Sequence, residues 1–356
     1  MKVLISGICG FVGSTLAHSL LDQDSGYEIM GFDNFVRPGS YLNREPLQAR
    51  GVRVRHADTR LASDLEALPA FDWVIDAAAH ASVLSGVDGA TNSRQLVENN
   101  LYGTVNLLEA AKRFGAGFIL LSTSRVYSIK PLATLPVQVQ KGAYEPDESA
   151  ALPPGLSREG ITEEFPVVPP VSLYGSTKLA SEFLALEYGE AFGFPVWINR
   201  CGVLAGAGQF GRADQGIFAY WINAWRRSEP LQYIGFDGTG LQTRDCLHPR
   251  DLAPLLRQQM AGGSPEKPRV LNLGGGREHA MSLVQLSDWC AARFGQRDVA
   301  RDPRPRLFDL PWVVMDSQRA ATNWDWRPAT HLNAILEEIA QHAEANPDWL
   351  RISSPP

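Results

Sequence analysis

The chain has 356 residues, enough to bury a substantial core as one large domain or two modest ones. Thirty-three basic residues against 39 acidic ones leave a net charge of −6, and Arg226-Arg227 and the Pro-broken Arg301 to Arg306 stretch read as solvated, so no nucleic-acid footprint is expected. No window reaches the ~18 apolar residues of a membrane span. The cysteines, Cys9, Cys201, Cys246 and Cys290, lack metal-ligand or disulfide spacing, which leaves buried thiols and no metal.

Met1 to Ile5 breaks at once into Ser6-Gly7 without a cleavage region, which reads as a mature cytoplasmic start. Lys2 to Ser6 is a short buried strand, Gly7-Ile8-Cys9-Gly10-Phe11-Val12-Gly13 a glycine turn, and Ser14 to Leu21 a helix. Gly7 permits the tight turn, Gly10 lets the backbone approach a pyrophosphate and Gly13 lets the helix pack on the sheet; Cys9, Phe11 and Val12 complete the expected dinucleotide contacts. The strand Tyr27 to Phe32 ends in Asp33, placed to hydrogen-bond a ribose diol beside Asn34. A carboxylate there repels the extra phosphate of NADP and favours NAD, although Arg37 can soften that preference.

Strands at Val52 to His56 and Trp73 to Ala77 alternate with helical stretches such as Leu61 to Leu68, which implies a parallel sheet covered on both faces. Asp58 and Thr59 follow the third strand, where Asp58 can meet adenine or cap the helix around Leu61. The small residues Ala77, Ala78 and Ala79 leave the fourth strand on the ligand side and let a cofactor approach. His80 and Ser82 follow; His80 is either a substrate contact or a structural histidine. A helix from Ser93 to Phe114 carries Asn100, and the strand Phe118 to Ser122 ends in Ser122-Thr123-Ser124-Arg125, hydroxyls suited to a substrate alcohol or to a turn.

A long Pro-rich segment with prolines from Pro131 to Pro170 reads as a loop, either functional or a surface excursion. It leads to Tyr174-Gly175-Ser176-Thr177-Lys178. Residues four apart share a helix face, and the Lys178 charge is expected to lower the phenol pKa of Tyr174 from about 10 toward the range of a general base. Beyond it come the strand Val196 to Arg200, the motif Asp214-Gln215-Gly216, Gln242-x-Arg244-Asp245, an expected cap at Asp251 and the strand Val270 to Leu273. Trp312, Trp324 and Trp326 read as packing residues.

In this order the motifs resemble the extended short-chain dehydrogenase/reductases that act on nucleotide sugars, over nearly the whole chain. The resemblance implies an α/β fold, a Rossmann-type doubly wound parallel sheet with a smaller C-terminal substrate domain. Residues 1–195 would be mainly the NAD-binding domain, with a Pro-rich insertion at about 128–171. Residues 196–356 would be mainly the substrate domain, with some elements returning to the first.

By that resemblance Thr123, Tyr174 and Lys178 are catalytic and Asn100 supports the lysine. Ser122, Cys201 and Val203 join the NAD contacts, while Ser124, Arg125, Asn199, Gln215, Gly216, Gln242 and Arg244 join His80 and Ser82 at the substrate, with Asn199 and Arg244 on its diphosphate. Dehydratases and decarboxylases of the superfamily carry an acidic residue just after the catalytic hydroxyl. Here Ser124 and Arg125 stand there, and Arg125 cannot act as a general base near neutral pH.

Asp214-Gln215-Gly216 with Gln242-x-Arg244-Asp245 looks like the CDP-paratose/CDP-tyvelose 2-epimerase branch. That branch implies transient oxidation at C2 of a CDP-sugar; UDP-hexose 4-epimerisation and a non-enzymatic NAD-binding scaffold are the alternatives. The resemblance also implies a homodimer.

Overall fold

The protein is described from a computed structural model covering residues 1–23, 26–87, 89, 92–212, 215–262 and 266–353. Short apolar runs make the first strands: β1 (Lys2–Ser6), β2 (Glu28–Asp33), β3 (Arg53–His56), β4 (Trp73–Asp76) and β5 (Gly117–Thr123). In β1, Val3, Leu4 and Ile5 are all buried, the near-continuous apolar pattern of a strand covered on both faces. Two later strands, β8 (Val196–Cys201) and β12 (Val270–Leu273), complete a seven-stranded parallel sheet in the order β12-β8-β5-β4-β1-β2-β3.

The order reverses between β1 and β4, so their carboxyl ends flank an open crevice of the kind that binds ligands in such sheets. Ser6 stands in register with both Phe32 and Asp76, which aligns the three strand ends along one rim. One sheet face buries Val3, Ile5, Leu16 and Trp197, and the other Leu4, Leu107, Val74 and Phe118.

The helix expected over Ser93 to Phe114 forms with an interruption: Ser93–Val97 and Gly103–Phe114 are α-helical, and Glu98–Tyr102 is a π turn with Asn100 buried in it. Such a bulge re-aims side chains, and here it presents Asn100 to the start of the loop after β4.

The Pro-rich segment departs from the expected loop. It contains the helix Ile129–Ala133 and an antiparallel hairpin of β6 (Val137–Gln140) and β7 (Ala143–Pro146). Tyr144 N–H donates to the Leu241 carbonyl at 2.9 Å and Thr243 Oγ1 donates to the Tyr144 carbonyl at 2.7 Å. Farther along, Ile161 N–H donates to Val314 O at 2.8 Å and Asp316 N–H to Ile161 O at 3.0 Å. Prolines shorten each piece, and the remaining backbone groups find partners both within the segment and in the second half of the chain.

That half adds a small sheet in which β11 (Thr243–Leu247) pairs with β9 (Val203–Leu204), β13 (Ala280–Ser282) and β15 (Trp312–Val313), and a parallel pair of β10 (Gln232–Ile234) with β14 (Ala300–Asp302). Trp312, Trp324 and Trp326 are buried as packing residues, Trp324 meeting Trp197 edge-on. Asp251 is not the local cap expected of it: His248 caps that turn by accepting from Arg250 N–H at 3.0 Å. The Asp251 carboxylate instead accepts from Thr330 N–H at 2.9 Å and Thr330 Oγ1 at 2.7 Å, tethering the C-terminal segment. Among the described residues no helix is long and apolar enough to cross a membrane.

Candidate active site

A cavity of about 1040 Å³ runs along the carboxyl ends of β1, β2, β4, β5 and β8 and continues over the second half. Its first part is built from main chain. Gly7 has a left-handed φ of +61°, and a Cβ on Gly13 would lie 2.3 Å from the Gly7 carbonyl oxygen, so the turn can close onto the helix Phe11–Gln23 only with glycines there. A Cβ on Gly10 would meet only that same oxygen, at 3.1 Å, and would otherwise enter the cavity, in the space a pyrophosphate needs at a helix N-terminus. The residues therefore fit a dinucleotide.

Asp33 ends β2 with its carboxylate accepting from Cys9 N–H at 3.2 Å and Phe35 N–H at 2.8 Å, and burial raises its pKa. Cys9 is fully buried and does not line the cavity; its backbone serves Asp33. Arg37 turns from the ribose position to donate to Gln215 Oε1 at 3.1 Å and to the Phe210 carbonyl.

Phe11, Val12, Asn34, Thr59, Ala77, Ala78 and Ala79 line this part. Ala77 and Ala78 N–H both donate to Ser6 Oγ at 3.0 Å. Asp58 does not line it: the carboxylate is taken by Arg60 at 2.7 Å and Asn34 at 3.1 Å, which holds its pKa down at about 2. The carboxylate's other oxygen accepts from Arg60 N–H at 2.9 Å, closing a local turn.

At the centre, Thr123 closes β5, its Oγ1 accepting from Arg125 N–H at 3.2 Å, and its hydroxyl favours ionisation of the Tyr174 phenol beside it. Tyr174 and Lys178 lie on the helix Ser172–Phe192. A Cβ on Gly175 would stand 2.2 Å from the Arg125 carbonyl oxygen, so glycine after Tyr174 lets this helix dock against the turn that follows β5.

The expected lowering of the Tyr174 pKa is reversed. Burial pushes the phenol up to about 12, while the Thr123 hydrogen bond and the Arg125 charge oppose that rise. Lys178 is buried as well, and its pKa is lowered by desolvation against the pull of Asp76 and Glu182. Asn100 supports the lysine's helix at one remove: its side chain exchanges hydrogen bonds with the His80 backbone at 2.8 and 3.2 Å and donates to Thr177 Oγ1 at 3.2 Å.

Beneath the pair lies a buried ionic network. Glu182 accepts from Arg200 Nη2 at 2.7 Å and from Nε at 3.1 Å, and also from Ser122 Oγ. Arg200 Nη1 donates to the Tyr127 hydroxyl at 3.2 Å, which itself donates to Asn272 Oδ1 at 2.6 Å. This network links β5, β8, β12 and the Tyr174 helix.

The second part of the cavity is built from side chains. Ser122, Cys201 and Val203, expected at the cofactor, and His80, Ser82, Ser124, Arg125, Gln215, Gly216, Gln242 and Arg244, expected at the substrate, all line the cavity. Burial and the cations Arg37, Arg60 and Arg212 lower the His80 pKa, which keeps the imidazole neutral at neutral pH. Arg244 donates to the Thr243 carbonyl at 2.8 Å and pairs with Asp309 at 3.4 Å, and Gln242 Nε2 donates to Asp309 Oδ2 at 2.9 Å. Gln242 Oε1 is buried without a hydrogen-bond partner. Asp214 lies outside the described residues.

Asn199 does not face this space. It is fully buried on the opposite side of β8, and its amide exchanges two 3.0 Å hydrogen bonds with Gln259, so no atom is left for a diphosphate. The strand alternation places Arg200 and Asn199 on opposite faces. Arg306, the end of a stretch read as solvated, lines the cavity, as do Asp309 just beyond it, Tyr220 and Trp221. Their sequence context, prolines and a plain amphipathic helix, carries no signal for a site.

Comparisons with known proteins agree with this geometry. Residues 3–274 match the NAD dependent epimerase/dehydratase family. The chain is 28% identical over 345 residues to CDP-paratose 2-epimerase of Salmonella typhi, covering 92% of this chain and 95% of that relative. It is 25% identical over 358 residues to UDP-glucuronate 4-epimerase of Thermodesulfobacterium geofontis, covering 98% of each. The crystal structure of UDP-glucuronic acid 4-epimerase from Bacillus cereus in complex with NAD has a TM-score of 0.73 at 26% identity, over 97% of this chain and 99% of that one.

Proposed function

We propose that this chain, which belongs to the NAD dependent epimerase/dehydratase family, inverts C2 of a CDP-linked deoxyhexose, interconverting sugars of the CDP-paratose and CDP-tyvelose type. Its cofactor is NAD, which supplies a hydride acceptor that later returns the hydride. Thr123 holds the C2 hydroxyl and Tyr174 takes its proton, its buried phenol needing the positive charge of a bound nicotinamide as well as Arg125 to reach the phenolate; Lys178 holds the phenolate and the nicotinamide ribose, the role the resemblance implies. Arg244 grips the diphosphate while the 2-keto hexose turns, and Tyr174 then returns the proton to the new hydroxyl.

One observation carries the choice of epimerisation over elimination. Among the described residues lining the cavity the carboxylates are Asp33 and Asp309: the first ends β2 by the glycine turn, and the second is held by Gln242 and Arg244. Among the described residues no acid stands beside Thr123 for dehydration, whereas epimerisation needs only the hydride device.

The test is to incubate the purified holoenzyme with CDP-paratose and, separately, CDP-tyvelose, without added NADH. Interconversion is expected, and Tyr174→Phe lowers kcat by about 10²- to 10⁴-fold. Inversion of UDP-glucose or UDP-glucuronate at C4, with neither CDP-sugar changed, would replace this reading with the 4-epimerase one.

We further propose a homodimer through the Tyr174 helix, on which Leu173, Phe183 and Phe192 are exposed. Light scattering is expected to give twice the chain mass, and Phe183→Glu to shift it toward the monomer.

A further inference from the structure

We infer that Arg125 is a second cation for Tyr174, a positioning residue that works beside Lys178 to favour the phenolate. The inference rests on the proposed acid/base role of Tyr174. The Arg125 backbone is tied to Thr123 and to the turn of helix that carries Tyr174. Its N–H donates to Thr123 Oγ1 at 3.2 Å, and its carbonyl is packed where a Cβ on Gly175 would fall.

Its guanidinium lines the same cavity as Tyr174, yet Nη1 is buried with no hydrogen-bond partner and no ion pair to Arg125 exists among the described residues. A buried cation left so has its charge available to the anion that forms beside it.

The groups around the two side chains settle the sign. Arg125 faces Arg244 and Arg306, which repel it, and Asp309 and Tyr174, which attract it; burial and the two arginines push its pKa down to about 9, still charged at neutral pH. Tyr174 faces Thr123, Cys201 and Arg125, with Lys178 on its own helix. Burial and Cys201 favour the neutral phenol; Thr123 and Arg125 favour the phenolate. Removing the Arg125 charge therefore raises the pH at which Tyr174 ionises.

The experiment compares wild-type holoenzyme with Arg125→Met, Arg125→Lys and Tyr174→Phe. Two quantities are read: kcat against pH on CDP-paratose, and the Tyr174 phenolate absorbance as a difference from Tyr174→Phe. In Arg125→Met both the acid limb and the phenolate titration are expected to move up by about one pH unit or more. In Arg125→Lys they stay in place, because the charge is kept.

Coincident titrations of Arg125→Met and wild type would overturn the inference, whatever the change in kcat or KM. Undiminished turnover by Tyr174→Phe would instead overturn the acid/base reading beneath it. The absorbance titration still reports on Arg125 in a variant too slow to assay.

Discussion

The two parts of the cavity recognise their ligands by different means. The dinucleotide part is main chain: a glycine turn, a helix N-terminus, the small residues after β4 and one carboxylate at the end of β2. The part proposed for the nucleotide sugar is lined by long side chains, Arg125, Gln242, Arg244, Arg306 and Asp309, brought together from segments far apart in the chain. Backbone recognition needs glycine and small residues at fixed short spacings, so it leaves a local pattern. Side-chain recognition needs only that the right groups converge, and any spacing serves.

Substitutions can weaken the fold or separate the two parts. The buried Arg200–Glu182 pair ties β8 to the Tyr174 helix, so Arg200→Met, which leaves the Glu182 charge without a cation, is expected to cost about 3–5 kcal/mol in urea unfolding. Gly10→Val sends its side chain into the cofactor space; NAD retention is expected to fall by at least about tenfold on desalting, while Tm stays near that of the wild type. If NAD stayed bound, the glycine turn would be a packing device only.

Arg244→Met acts on the other part alone. It is expected to raise KM for the nucleotide sugar by about 10- to 100-fold, the worth of a hydrogen bond to a charged group, without loss of NAD. An equal loss of NAD would mean that the two parts are not separable. Asn199→Ala should have the smallest effect, about 1 kcal/mol of stability from the unmet Gln259 amide, with KM unchanged. A raised KM there would restore the diphosphate contact that the resemblance implies.

The sequence already contained the parallel sheet, the turn at Gly7 to Gly13, Asp33, and Thr123 with Tyr174, because apolar runs, glycine spacings and helical periodicity are local consequences of backbone geometry. It also implied, through Arg125, that an elimination acid is missing.

Tertiary structure alone decided the face of β8 on which Asn199 lies, the stitching of the Pro-rich segment into the second half, and the arrival of Arg306 and Asp309 at the site. It also reversed the sign of the Tyr174 shift. Four residues of helix set Lys178 on the same face as the phenol, but desolvation depends on everything packed around the ring. Here burial outweighs the cations, so the chemistry of Tyr174 is set by distant segments as much as by its neighbour on the helix.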